Sequence, residues 1–478
     1  MGRIVIKKYD LIAIGSGSAM NIVDTVLQME PDTKVAVIDK DDPGGICLTR
    51  GCIPTKLLIY PADIVRTVEE ASRLGVNADI RKIDFKWIMK RMRTIIQRDM
   101  ENIRKSLMET KNVDYFPATA EFVAPHRLKV GQEEITSKMI FLCLGSRPST
   151  PPIKGLERAE YFTSDTVLDI DDLPPHIAIL GGGYIAAEYG HFFSAMGSKV
   201  TIIGRNPRFL PDEEPEISRL AQHSMSRNMD ILTNHEVIEV SKNRSGGKEV
   251  VARNRSTSED RKISADEILL AVGRAPNTDL LHPEKSGIEL EGEGWVKVNE
   301  YLETTEPNIW ALGDANGRYL FKHVANYESK VVFYNAIMGE KMRVDYHAVP
   351  HAVFSHPEIA SVGLKEREAS KTYGEEGVLI GRQRYEDTAR GEAMGVKDYF
   401  VKVIVEEETR KILGAHIIGP HASVLIQEIV NLMYTADQSL SPITEGMHIH
   451  PALNEVVDRA FTSLMPLEHY RHMWRVGM

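Results

Sequence analysis

Hydrophobic positions come in short unbroken blocks separated by stretches with helical spacing. In YDLIAIGSGSAMNIVDTVLQ a block of apolar residues ends at Gly15, a glycine turn follows, and residues with helical spacing come next. A second block, KVAVID, ends at Asp39. Strand, turn, helix, strand is the pattern of a unit built on parallel strands. It returns in HIAILGGGYIAAEYGHFFSAMGSKVTIIGR, where residues 177 to 180 meet Gly181, Gly182 and Gly183, and a second strand ends near Gly204. Between the two units, residues 54 to 110 predict long helices carrying many Arg and Lys. Residues 113 to 145 predict short strands ending in FLCLGSRPSTPP, whose prolines mark a boundary. The pattern shifts after about residue 275, through RAPNTDLL and NIWALGDANG. From about 346, alternating stretches such as YFVKVIV and ILGAHIIG predict an antiparallel sheet.

A length of 478 residues predicts two to four packed units, with no tandem repeat or low-complexity tract. Apolar residues at 42% and charged residues at 26% are ordinary for a folded soluble chain. The net charge of −10, with no long basic run, argues against nucleic acid or an anionic membrane as partner. The longest apolar stretches, such as 139 to 144, fall well short of the roughly 18 residues of a membrane span. The opening MGRIVIKKYDLIAIG has too short an apolar stretch for a signal peptide, and Ile6 breaks the myristoylation pattern. The expected location is cytoplasmic. Three cysteines are too few for a disulfide framework, and two of them, Cys47 and Cys52, lie five apart, which suggests redox chemistry.

Gly15 and Gly17 allow a tight turn and close approach of backbone N–H groups to a pyrophosphate, although Met20 stands where a third glycine is expected. Asp39, at the end of the next strand, is placed to accept hydrogen bonds from an adenosine ribose. A plain turn beside a solvated acid is the competing reading. Gly181, Gly183 and Ala186 form a fuller fingerprint. At its strand end the chain has Gly204 and Arg205, with Arg208 three further on, where an NAD site would carry an acid. Arginines there favour a 2′-phosphate and so NADPH, against the alternative that both are ordinary surface charges. In GGICLTRGCIPTK, residues 44 to 56, a helix N-terminus would lower the pKa of an adjacent cysteine and favour its thiolate. One cysteine could then stay near a flavin while the other meets substrate; a zinc pair and two buried thiols are the alternatives. Cys143, inside FLCLG, reads as a buried core thiol.

Six segments in order, GSGS at 15–18, GGICLTRGCIPTK at 44–56, GGGYIAAE at 181–188, AVGRAPNT at 271–278, WALGD at 310–314 and HIHPALNE at 448–455, resemble the flavoprotein pyridine-nucleotide-disulfide oxidoreductases over essentially the whole chain. The resemblance implies an α/β protein with two Rossmann-like dinucleotide-binding domains and a C-terminal α+β dimerisation domain. On this reading residues 1–150 bind FAD and carry the redox pair, 151–275 bind NAD(P), 276–345 form a central domain returning to FAD, and 346–478 form the interface of a homodimer. It further implies that Cys52 reacts with the flavin and Cys47 exchanges with substrate, that Lys56 lies by the flavin paired with Glu188, and that Asp314 holds the ribityl chain while Asp39 takes the adenosine ribose. Gly145 and Gly273 fall in segments of the cofactor sites. His450 and Glu455 match an acid–base dyad that completes the site from the other subunit; a histidine near neutral pKa, oriented by a carboxylate, suits thiol exchange. A metal held by His448, His450, His469 and His472 is the alternative for that region, and no metal site is assigned.

Departures from the family pattern narrow the reading. Dihydrolipoyl dehydrogenases usually carry an acid where this chain has Gly204. Mercuric reductases carry an extra C-terminal cysteine pair and lack the His–Glu dyad, and glutathione reductases place an arginine in the first helix, where NIVDTVLQ has none. YFTSDTVLDIDDLP, YIAAE and YLFKHVAN are most similar to mycothione reductases. The expected function is NADPH-dependent reduction of a small-molecule disulfide, with NADH possible. Dihydrolipoyl dehydrogenase, acting on a dithiol, is the alternative, and a FAD-binding structural or electron-transfer subunit is the alternative of another class. The tail from Asp458 onward, with LEHYRHMW, is suited to pack on a dimer surface or to fray.

Overall fold

The computed structural model describes residues 6–242 and 246–476, and the side chains of residues up to 473. Residues 1–5, which carry part of the signal-peptide and acylation readings, and the last two residues of the tail lie outside the described residues.

The first apolar block becomes the strand Leu11–Ile14, fully buried, as its lack of alternation requires. It is the centre of a five-stranded parallel sheet in the order Ile309–Ala311, Ile140–Leu142, Leu11–Ile14, Val35–Ile38, Val113–Phe116. Its edge strand at 309–311 comes from the segment after the second unit, so the chain returns to complete the first sheet. Helix Met20–Met29 buries Ile22, Val23 and Val26 against it. The second unit repeats the plan with parallel strands Phe162–Thr163, Glu267–Leu270, His176–Leu180, Lys199–Ile203 and Asp230–Leu232. A three-stranded antiparallel sheet, His235–Lys242, Lys248–Asn254 and Asp260–Ala265, is inserted before its last strand.

From residue 350 the chain forms a six-stranded antiparallel sheet, covered by helices Ala422–Met433 and Glu455–Thr462. The tail forms helix Leu467–Val476, folded on its own chain. Tyr470 is buried, its hydroxyl donating to Glu216 of the second unit at 2.9 and 3.0 Å, and Arg471 Nε donates to Glu366 at 2.8 Å. The tail helix is thus pinned to its own chain through Tyr470 and Arg471, while Met473 remains half exposed. Among the described residues no helix is long and apolar enough to cross a membrane.

Candidate active site

Both glycine turns are shaped by backbone crowding. Gly15 has φ +102° and Gly181 has φ +133°, and a Cβ at either would come within 2.0 Å of a carbonyl oxygen, that of Cys143 or of Ala271. Only glycine fits, and each turn opens its backbone amides at the start of a helix. Next to the first turn runs a cavity of about 1020 Å³, lined by Gly15, Gly17, Asp39, Cys47, Cys52, Lys56, Gly145, Glu188 and Asp314 among others. The structure therefore gathers most of the sites expected for FAD and thiol chemistry along one wall.

Cys47 sits on the short helix Gly45–Thr49 and Cys52 opens helix Cys52–Glu70. Both are thiols here, Cys47 half-buried and Cys52 exposed to the cavity. The hydrogen bond between them brings Cys52 down to about 7, against the opposing effect of burial and with help from the Lys56 ammonium. The same bond, with burial, pushes the Cys47 thiol up. Lys56 Nζ donates to both Glu188 oxygens at 2.8 and 2.9 Å and lies 4.5 Å from the centre of the Phe354 ring. Glu188, buried on helix Tyr184–Met196, also accepts from Phe354 N at 3.1 Å. Three segments far apart in sequence thus hold one ion pair beside the thiols.

The cavity also fits the rest of FAD. Asp39 accepts from Ser16 N at 2.9 Å and from Asp41 N at 3.1 Å, which fixes a carboxylate at the strand end below the glycine turn. Asp314 follows the edge strand of the first sheet; burial raises its carboxyl above the usual range, while it accepts from Ser146 Oγ. Ser146 accepts in turn from Arg274 Nε at 2.6 Å. A cradle sealed by glycine at Gly15, a polar strand-end acid and a buried carboxylate at the far end suit a long dinucleotide with a flavin.

Cys143 qualifies the sequence reading: it packs against the first core but is not fully enclosed and lines this cavity, because the strand before it ends where the glycine turn opens. Burial still raises its thiol to about 11. Several lining residues escaped the sequence reading. Tyr184, the first residue after GGG, lines the cavity with its ring 6.5 Å from that of Phe321, and Lys322 Nζ donates to Ser18 Oγ at 2.9 Å. Ser423, Gln427 and Val430 reach it from the C-terminal unit. The triple glycine and the YLFKHVAN segment were the available signals for the first two; nothing local marks the last three.

The remaining predicted residues lie away from the cavity. Gly183 precedes helix Tyr184–Met196, Ala186 is fully buried beneath it, and Arg205 and Arg208 are exposed beyond strand Lys199–Ile203. Gly273, with φ +122°, leads into the antiparallel pairing of Arg274–Pro276 with Ser146–Pro148, which joins the two units. His450 Nδ1 lies 2.9 Å from Glu455 Oε1, and that bond lowers the Glu455 carboxyl. His450 is 68% exposed and does not line its own chain's cavity; it follows Met447 and Ile449, also exposed. His448 contacts a different carboxylate, Glu428, at 3.3 Å, so the two histidines do not share a partner.

Two dinucleotide units flanking a thiol pair define an enzyme of dithiol–disulfide redox chemistry. The comparison with family models matches residues 9–329 to the pyridine nucleotide-disulphide oxidoreductases and 349–461 to their dimerisation domain; the chain belongs to this family, which uses FAD and a nicotinamide nucleotide. It is 36% identical over 472 residues to the mycothione reductase of Mycobacterium tuberculosis, covering 95% of this chain and 99% of that one. It is 33% identical over 474 residues to the dihydrolipoyl dehydrogenase of Synechocystis, covering 95% and 98%. The HOCl-induced flavoprotein disulfide reductase RclA from Escherichia coli superposes with a TM-score of 0.83 at 28% identity, covering 95% and 99%.

Proposed function

We propose that the protein is an NADPH-preferring flavoprotein reductase of a low-molecular-weight disulfide, of mycothione-reductase type, acting as a homodimer in the cytoplasm. The observation that carries this reading is the Cys47–Cys52 pair on the wall of a dinucleotide-sized cavity, with the low-pKa thiol beside Lys56. Gly15, Gly17, Asp39, Gly145 and Asp314 hold FAD; Gly181, Gly183, Ala186 and Gly273 hold the nicotinamide nucleotide, with Arg205 and Arg208 at its 2′-phosphate. Bound FAD supplies the two-electron relay between nicotinamide and the cysteines, which no side chain provides.

From the reduced pair, Cys47, whose thiol is held protonated, gives its proton to His450 of the partner subunit as its sulfur attacks one sulfur of the substrate disulfide, forming a mixed disulfide and expelling the first thiolate. That leaving sulfur takes a proton from His450 of the partner subunit, whose imidazole is oriented by Glu455 of the partner subunit. Cys52 then attacks the Cys47 sulfur, closing the Cys47–Cys52 disulfide and expelling the second thiolate, which takes a proton from water. The exposed His450, set outside its own chain's cavity beside exposed Met447 and Ile449, supports a site completed across a dimer. A dihydrolipoyl dehydrogenase would run the same exchange toward disulfide formation, and the Synechocystis relative favours keeping it as the second reading.

Anaerobic reductive titration with NADPH and with NADH tests both. A long-wavelength charge-transfer band is expected at lower equivalents of NADPH, and Cys47→Ser or Cys52→Ser should abolish disulfide turnover with FAD retained. Full turnover in either variant overturns the thiol assignment. Equal or better reduction by NADH moves the reading to dihydrolipoyl dehydrogenase.

A further inference from the structure

The three-stranded sheet inserted in the second unit has no part in thiol exchange, yet it is stitched to the place where a dinucleotide's adenosine is read. Gly204 N donates to Leu232 O at 2.8 Å, His235 N to Gly204 O at 2.9 Å and Asn234 N to Asn206 O at 2.7 Å. The turn joining Lys248–Asn254 to Asp260–Ala265 then folds back onto this edge, with Arg255 N donating to Asn234 O at 2.9 Å. Asn254 fixes the turn by accepting from Ser256 N and Thr257 N at 2.9 and 3.0 Å. The outcome is that Arg255 Nη1 donates to the carbonyl of Arg205 at 3.2 Å.

In such units the end of the second strand selects the ribose: an acid binds the 2′-hydroxyl, a cation the 2′-phosphate. Here the strand end offers no acid, and Gly204 packs so closely that a Cβ would stand 3.3 Å from the Gly182 Cα. Among the described residues, Arg205 and Arg208 have no carboxylate partner, whereas neighbouring Arg253 is taken by Asp260 at 2.7 and 2.9 Å. Arg255 meets only Glu236, at 4.0 Å through Nε, and no bond among the described residues engages its Nη2. This arginine is held to the backbone of residue 205, at the strand end that carries Arg205 and Arg208, and its Nη2 is engaged by no bond among the described residues.

We infer that Arg255 is a specificity-determining residue, a third cationic arm delivered by the inserted sheet to the 2′-phosphate of NADPH. A phosphate monoester carries nearly two negative charges and several acceptor oxygens, so it can take donors from more than one guanidinium. This inference rests on the NADPH reading above, and the test separates the two.

With the FAD-loaded enzyme, isothermal titration measures binding of adenosine 2′,5′-bisphosphate against adenosine 5′-diphosphate, and a ferricyanide assay gives KM for NADPH and NADH. Arg255→Gln is expected to weaken the bisphosphate and raise KM for NADPH about tenfold, the loss of one charge-assisted hydrogen bond, while NADH changes less than twofold. Arg255→Lys should recover part of the loss. If Arg205→Gln weakens the bisphosphate and Arg255→Gln leaves it unchanged, the inference falls and the NADPH reading stands. Equal losses for NADPH and NADH in Arg255→Gln mean a purely structural role and also overturn it. A wild-type enzyme that does not distinguish the two nucleotides overturns both.

Discussion

A thiol with its pKa near 7 is half thiolate at neutral pH, and Cys52 reaches that state through its neighbours. Cys47 donates to it, and Lys56 supplies a positive charge one turn along the same helix. Alkylation of the dithiothreitol-reduced enzyme by iodoacetamide should therefore rise with pH around a midpoint near 7 at Cys52, read by peptide mass spectrometry. Lys56→Gln should move that midpoint upward and slow alkylation severalfold at neutral pH, since it removes the cation and leaves Glu188 unpaired near the thiol. At this scale the sequence was most legible where chemistry is contiguous: Cys47, Cys52 and Lys56 lie within ten positions, and Asp39 closes an apolar block. The Phe354 amide on Glu188 and the Arg274–Ser146–Asp314 chain were not legible, because their partners are more than 100 residues apart.

Elements carry these residues into place. Helix Glu455–Thr462 begins with Glu455 and is fastened by Val456, Val457, Ala460 and Phe461, all buried against the C-terminal sheet. Phe461→Ala opens a void under that helix and should cost about 3 to 5 kcal/mol, read as a lower Tm. It should also reduce disulfide turnover more than ferricyanide reduction, because the displaced helix carries the carboxylate that orients His450. Equal loss of both activities would show that the effect is only global. Element type was readable from the rhythm of apolar positions where buried parallel strands form unbroken blocks; the C-terminal sheet departs from the expected alternation, because helices cover it and residues 400–405 and Ile412–Ile418 are buried throughout. Cys143 was legible as a core thiol but not as a cavity wall, because a residue just past a strand can pack on the core and still face a cavity opened by the turn beside it, which periodicity does not encode.

Across the whole molecule, the second unit, the C-terminal sheet and the tail helix meet at Lys402, which has no exposed side-chain surface. Its ammonium lies 2.7 Å from Glu366, 3.4 Å from Glu214 and 3.5 Å from Glu216, and 5.0 Å from the centre of the Tyr470 ring. Burial pulls the lysine's pKa down, but the carboxylates of Glu216, Glu214 and Glu366 outweigh it, so the net shift is upward. Its contribution to stability is complete below the ordinary lysine value and is lost as pH rises through the raised one, so Tm should fall at strongly alkaline pH. Lys402→Met leaves buried Glu214 and partly buried Glu216 without their cation, Glu366 keeping Arg471, and should cost about 3 to 5 kcal/mol, with the alkaline fall in Tm reduced. This junction was not readable in advance: it joins residues 214, 216, 366, 402 and 470, and the tail's role depends on a surface that only the folded chain presents.

His450 and Glu455 stand outside the cavity that holds Cys47 and Cys52 of the same chain. If each working centre borrows its dyad, two dead proteins can repair one another. Refolding or co-expressing Cys47→Ser with His450→Gln in equal amounts should give mixed dimers in which one centre carries both lesions and the other carries neither. Random pairing then restores about a quarter of wild-type disulfide turnover from two inactive parents. A mixture as inactive as its parents would place the dyad and the thiols of each centre on one chain. Complementation between alleles, a genetic readout, thus reports where one side chain lies relative to a cavity.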